Sequence, residues 1–285
     1  MALETTLYEK IDDGQIVKIT MNRPEVLNAM DATLKEELFE AFQMAEFDED
    51  VRVVILTGAG RSFSAGHDMS GKGRPSQHPY MQTRLTGLEA SLRREQHIFV
   101  DINLSIRNLT KPVIAQVQGH CIAGALMVAC MSDIIVASED ASFQNPVLRM
   151  TPGAAELLVE PWDMGVRRAK EFLFTGDPMD AKRAYEVGLA NKVVPRDKLE
   201  EETLALARRI ALMPPVTVSL VKRSLNRTLD IMGQANSFDY HLLIHEMSHH
   251  TDAAKKFGED RRKAVADGGL KAFLAFRDGA FGKKQ

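Results

Sequence analysis

The stretch Val53–Met69, VVILTGAGRSFSAGHDM, constrains this chain more than any other. It continues Val51–Leu56, a run of mostly β-branched residues with apolar side chains on both faces, as in a strand buried on both sides of a parallel sheet. The run ends in a glycine-rich turn. A distant partner, Gln118–Leu126 (QGHCIAGAL), follows a second buried run, Pro112–Val117, and passes through a glycine into what reads as a helix start. Two loops that each offer a backbone N–H can together grip one oxygen atom, and that is a catalytic device.

The rest of the chain supports an α/β sheet. Leu7–Lys10 and Gln15–Met21 read as strands joined at Asp12-Asp13-Gly14, a hairpin-type turn, and Asn22-Arg23-Pro24 stops the second. Asp31 caps a helix over Ala32–Glu46, where Leu34, Leu38, Phe39 and Phe42 recur at three to four. Met69–Tyr80 reads as a surface loop and Leu85–Leu109 as mostly helical, followed by a short apolar helix, Ala123–Met131, and a fourth strand, Asp133–Ala137. This alternation predicts parallel crossovers. Beyond residue 150 the pattern turns helical: Ala154–Glu160, Arg167–Phe174, Ala181–Val187, Lys198–Leu212, Val216–Ile231 and Ser237–His249. Division at residue 200 gives a mixed core, 1–200, and a helical region, 201–285, for packing and oligomerisation.

Composition excludes several classes. With 45 % hydrophobic and 26 % charged residues in 285, the chain is long enough for a sizeable core. A net charge of −3 gives no reason to expect a nucleic-acid or anionic-membrane surface. The basic groups Lys222-Arg223 and Arg261-Arg262-Lys263 are expected to be solvated helix faces. No run of about 18 apolar residues predicts a membrane span, and the N-terminus lacks a signal-peptide profile. Cys121 and Cys130, on or near one helix, would stand about 13 Å apart, too far for a disulfide. A reduced, cytoplasmic setting is expected.

Two short motifs carry less than they promise. Gly58-Ala59-Gly60 opens like a dinucleotide fingerprint, but Phe63 stands where its third glycine belongs. His245-Glu246-Met247-Ser248-His249 matches the H-E-x-x-H pattern of zinc peptidases, with Glu259 only a nominal third ligand. Three fixed positions arise easily by chance, so no metal is expected.

The paired loops are more specific. ITMNRPEVLNAM (Ile19–Met30), FSAGHDM (Phe63–Met69), PVIAQVQGHCIAGALMVACMSDI (Pro112–Ile134), ASFQNPVLRMTPGAAE (Ala141–Glu156) and FLFTGDPMDAKRAYEVGLANKVV (Phe172–Val194) together resemble the crotonase superfamily, the enoyl-CoA hydratase/isomerase family, in order and spacing. The resemblance implies a crotonase fold: repeated ββα units and a helical C-terminal trimerisation region, assembled as a homotrimer or a dimer of trimers. It implies an acyl-CoA substrate, with coenzyme A entering only as part of that substrate and no other cofactor. The thioester oxygen would lie between the N–H groups of His67 and Gly124. Ala65, Gly66, Asp68 and Met69 would border the substrate, and Phe273 and Arg277 lie where relatives often contact coenzyme A. The His67 imidazole itself reads as a contact or a bystander.

The sequence departs from the family where hydratases carry two glutamates. Met127 and Val147 occupy those positions, and neither can move a proton. With Leu148 and Met150 they make an apolar pocket suited to a fatty or cyclic acyl group. Glu156 is the first replacement acid or base. Glu160 and Asp163, the pair His97 and Asp101, and His120 come behind it. The expected class is an enoyl-CoA hydratase/isomerase-like lyase. Its competitors are another crotonase-type reaction (isomerisation, C–C or thioester hydrolysis), a non-catalytic CoA-ester binder and, remotely, a zinc peptidase.

Overall fold

A computed structural model of the chain describes residues 3–70, 82–150 and 157–282. The Asp12-Asp13-Gly14 turn joins β1 (Thr6–Ile11) to β2 (Ile16–Met21) as an antiparallel pair. Asp31 then caps α1 (Ala32–Phe47), its carboxylate accepting from the Leu34 N–H at 2.9 Å. That bond satisfies one of the donors a helix start leaves open. The apolar face of α1 places Leu34, Leu38, Ala41 and Phe42 in the core.

β3 (Val53–Gly58) is buried at every position and lies parallel to β2, as its two-sided apolar pattern requires. The crossover after it contains α2 (Gly87–Glu95), one widened π-type turn (Gln96–Asp101) and α3 (Ile102–Asn108). The continuous helix expected over Leu85–Leu109 is therefore interrupted, and the interruption lies beside the site described below. Single π turns inside helices are often found at such places.

β4 (Val113–Val117) joins β3 in parallel, and β5 (His120–Ile122) follows at once, leading into α4 (Gly124–Cys130). Next come β6 (Ile134–Ser138), β7 (Ser142–Gln144) and the short α5 (Val147–Met150). The helix expected over Ala154–Glu160 is not found in its described part: Leu157–Val159 is non-helical and α6 is Glu160–Asp163. Pro161 explains the shift, because proline fits the first helical turn but not a helix interior. Then follow α7 (Val166–Thr175), β8 (Met179–Asp180), α8 (Ala181–Val187) and β9 (Lys192–Val194).

Six strands form the main sheet in the order β1-β2-β3-β4-β6-β9, and β5-β7-β8 form a second, smaller sheet. The paired short strands β5, β7 and β8 escaped the periodicity, since two or three residues carry no alternation to read. Both sheets and their helices constitute a mixed α/β fold.

The remaining chain is helical: α9 (Leu199–Ala211), α10 (Pro215–Ile231), α11 (Gln234–His249) and α12 (Asp252–Asp278), with non-helical backbone at Gly268 and Gly269. α9 covers the outer face of the main sheet, closing a second core of Ile16, Val53, Ile55, Ile114, Val136, Leu199 and Ala207. Lys222 corrects one expectation: it is buried, and its ammonium donates to Asp133 at 2.7 Å and to the Lys111 carbonyl at 3.0 Å. It anchors α10 to the sheet, where a solvated face was expected. Within the described residues, no single helix is long and apolar enough to cross a membrane.

Phe42 is fully enclosed between α1 and the sheet. Phe42→Ala is expected to cost about 3–5 kcal/mol of unfolding free energy in urea titrations. A loss below about 1 kcal/mol would contradict this packing.

Candidate active site

The site is built where the loop after β3 meets the turn from β5 into α4. Asn28 fastens that loop. Its backbone is left-handed (φ 55°), its side chain is fully buried, and its amide donates to the Ala59 and Ser62 carbonyls at 2.9 Å and to Phe63 at 3.1 Å. The chain then runs as a thin extended segment. Phe63 N donates to the Gln118 carbonyl, Ser64 N to His120, and Ile122 N back to Ser64. On the other side Ala65 N donates to the Leu27 carbonyl and Met30 N to Gly66.

Gly66 has a φ of +87°, and a Cβ there would run into the Ile122 carbonyl oxygen. Only glycine meets both conditions without cost. Asp68 N donates to Met30, so the alternation of an extended chain turns the intervening His67 N–H the other way, toward α4. Gly124 is the first residue of α4, and its N–H is one of those a helix start leaves without an internal partner. Neither N–H has a backbone acceptor among the described residues. Ala123, just before it, adopts φ 50° and ψ −112°, a costly conformation for a residue with a Cβ.

A cavity of about 210 Å³ opens against these groups, lined by His67, Met69, Gly124, Met127, Val147, Met150 and Phe273, together with Glu95, Phe99 and Asn145, which the sequence left unassigned, His245 and His249 of the H-E-x-x-H motif, and Arg261, expected on a solvated helix face. The His67 ring lies over the Cα of Gly124 and packs at a tilt against Phe99 with centroids 4.6 Å apart. Both ring nitrogens are enclosed and without hydrogen-bond partners. Burial, with the nearby Lys35 charge, holds this imidazole well below its ordinary pKa, so it is neutral at pH 7.

Ala65, Gly66 and Asp68 do not line the cavity. Asp68 instead pairs with Arg23 at 3.1 Å and accepts from Ser70 N, and against the opposing effect of burial these bonds hold it below the usual carboxylate range. Arg277 lies behind the wall, held by Asp278 at 2.7 Å. Among the acid–base candidates, Glu156 lies outside the described residues. His120 is exposed, and His97 packs against Phe39 with its Nδ1 3.8 Å from Asp101.

Glu160 comes nearer. It is buried behind Met127, its Oε1 accepts from the cavity-lining Asn145 at 2.8 Å, and its Oε2 has no hydrogen-bond partner. Burial pushes its pKa up.

Across the cavity from Gly124 stands a cluster drawn from two helices. Glu95 ends α2, while His245, Glu246 and His249 lie on α11. Glu95, His245 and Glu246 are all buried. Burial raises a carboxylate's pKa, yet hydrogen bonds from His245, Glu246 and Arg94 bring Glu95 down to about 2, whereas burial and the adjacent Glu95 charge raise Glu246 to about 7. Glu95 is therefore the ionised member of the pair at neutral pH. The signal for this cluster was present in the H-E-x-x-H spacing, but the partner on α2 lies 150 residues away.

A sequence profile of the family described as Enoyl-CoA hydratase/isomerase matches residues 12–273. The Mycobacterium tuberculosis protein EchA13 is 41 % identical over 253 residues, covering 85 % of this chain and 80 % of its own. Among solved structures, a probable enoyl-CoA hydratase from Mycobacterium thermoresistibile is 41 % identical with a TM-score of 0.78, covering 86 % of this chain and 96 % of its own. An enoyl-CoA hydratase/isomerase from Xanthobacter autotrophicus Py2 is 33 % identical with a TM-score of 0.87, covering 99 % of this chain and all of its own.

Glu160 provides a test of the site's buried acid. An acid with a raised native pKa keeps its proton where the unfolded chain has lost it, so stability falls as pH rises above the ordinary value of 4.5. Glu160→Gln has no proton to lose. Wild type is expected to lose stability relative to this variant as urea titrations move from pH 5 to pH 8, and a difference constant across that range would contradict the protonated, buried carboxyl.

Proposed function

The chain belongs to the enoyl-CoA hydratase/isomerase family, and from that premise we propose that it binds acyl-CoA thioesters and stabilises their enolates between the N–H groups of His67 and Gly124. One observation supports this reading: His67 and Gly124 line a cavity of largely apolar surface, and their backbone N–H groups, one of them at a helix N-terminus, have no backbone acceptor among the described residues. Fixed donors of this kind are each worth a few kcal/mol when negative charge develops on an oxygen, and they require no reorganisation to act. The partial positive charge at the start of α4 adds to the effect.

Phe99, Met127, Val147 and Met150 offer the acyl chain a hydrocarbon lining. Arg261 stands in the same wall with its guanidinium over the Phe273 ring, 5.3 Å from the centroid, and is placed to meet the phosphates of coenzyme A. No further cofactor enters this reading. The exposed apolar side chains Leu220, Leu225, Tyr240 and Leu243 on α10 and α11 support assembly as a homotrimer or a dimer of trimers.

Met127 and Val147 withhold the glutamate pair of ordinary hydratases. The reading therefore commits to the intermediate and to the hydratase/isomerase type, with proton transfer assigned to other groups at the cavity. The retained cradle with both glutamates replaced also favours a second reading, a CoA-ester binding protein without turnover.

Incubation with crotonyl-CoA and with a 3-enoyl-CoA separates the two. Loss of the conjugated double bond of crotonyl-CoA, or migration of the 3-enoyl double bond into conjugation, supports the enzyme, while saturable binding without either change supports the binder. Absence of saturable binding would contradict both. A Cβ at Gly124 would strike the His67 ring. Gly124→Ala is accordingly expected to lower turnover by about 100-fold or more while the protein stays folded by circular dichroism. Wild-type turnover in that variant would remove Gly124 from the proposed role.

A further inference from the structure

We propose that Glu95, His245 and His249 form a binding site for one first-row divalent cation of the zinc type, opening on the acyl cavity. The three residues converge: one ligand atom from each can be chosen so that all lie within 4.8 Å of one another. His245 Nε2 stands 2.9 Å from His249 Nε2 and 3.3 Å from Glu95 Oε2. Separations near 3 Å are what donors around one tetrahedral ion with bonds of about 2 Å require.

Hydrogen bonding alone leaves this arrangement incomplete. The two carboxylate oxygens of Glu95 are differently served. Oε1 receives Arg94 at 3.0 Å and Ser91 Oγ at 3.3 Å, which fixes the plane of the carboxylate. Oε2 is enclosed and lies 3.3 Å from His245 Nε2. His245 Nε2 can carry only one hydrogen, yet it meets two acceptors. If it gives that hydrogen to His249, Oε2 receives none from it, and if it gives it to Oε2, His249 Nε2 receives none. If it carries none, its lone pair faces that of Oε2. A cation at their common centre resolves every case, and Arg94 and Ser91 then serve as the outer hydrogen bonds that orient a metal-bound carboxylate.

Two histidines one helical turn apart with a carboxylate from another helix make a donor set suited to zinc, cobalt or nickel rather than to magnesium or calcium. The third ligand is Glu95, in place of the nominal Glu259. Three protein donors leave a fourth position for water. His245, His249 and Glu95 line the same cavity as His67 and Gly124, so that water would face the acyl pocket. An ion lowers the pKa of its water toward neutrality, which would supply the proton-transfer group that Met127 and Val147 lack. This last use rests on the acyl-CoA reading, whereas the site itself does not.

The 285-residue protein, stripped with a chelator and dialysed, is titrated with Co²⁺ and with Zn²⁺. One equivalent of Co²⁺ is expected to bind with visible d–d bands, which Zn²⁺ abolishes by displacement. His249→Ala alters an exposed side chain and is expected to stay folded. It and Glu95→Gln should each weaken binding by more than the roughly 10–100-fold that loss of an outer hydrogen bond costs. His250→Ala, one position beyond the motif, should bind like wild type. Absence of stoichiometric binding, or binding unchanged by both His249→Ala and Glu95→Gln, would overturn the proposal. None of these readouts involves an acyl-CoA, so failure here is distinct from failure of the thioester reading.

Discussion

The site depends on how closely the Ser64–His67 segment lies against Ile122–Gly124. Gly66 sits where no side chain fits beside the Ile122 carbonyl, and paired bonds between Ser64 and the His120–Ile122 strand hold the two segments in register. This contact sets the separation of the His67 and Gly124 N–H groups. Asn28 holds the preceding turn from behind with three donated bonds, and Ala123 accepts a strained backbone immediately before α4. Strain at such a point persists because surrounding bonds over-determine it.

The ends of β3 and β4 bring the loops together because those strands are parallel neighbours, and their crossovers carry the other wall of the cavity. The widened turn Gln96–Asp101 puts Phe99 against His67, while Glu95 just before it reaches α11. The C-terminal helices thus contribute to the site as well as to the exterior. Lys222 and Arg107 tie α10 down through Asp133 and Asp230, each at 2.7–2.8 Å. A buried ion pair of this kind contributes most when its remaining donors are also satisfied, as the Lys111 carbonyl does for Lys222.

Long apolar periodicity made the main strands, α1 and the C-terminal helices readable in the sequence, and the glycines at 66 and 124 marked the two loops. Three kinds of feature were not readable. Short strands such as β7 have too few residues for a pattern. The role of Asn28 depends on a left-handed backbone that other residue types also adopt. Glu95 is one of many glutamates until folding sets it beside His245, and Asp68 reads as a substrate neighbour until Arg23 is seen to hold it. The H-E-x-x-H spacing was legible but discounted, because three fixed positions arise easily by chance and Glu259 was only a nominal third ligand.

The central claim concerns one oxygen atom, and vibrational spectroscopy reads that atom directly. Butyryl-CoA labelled with ¹³C at the thioester carbonyl would be bound to the protein and examined by isotope-edited difference infrared. On the proposed reading, donors from His67 and Gly124 polarise the carbonyl, so its stretch should shift to lower frequency on binding and return toward the solution value in Gly124→Ala. A bound thioester whose carbonyl keeps its solution frequency in the wild-type protein would contradict the account.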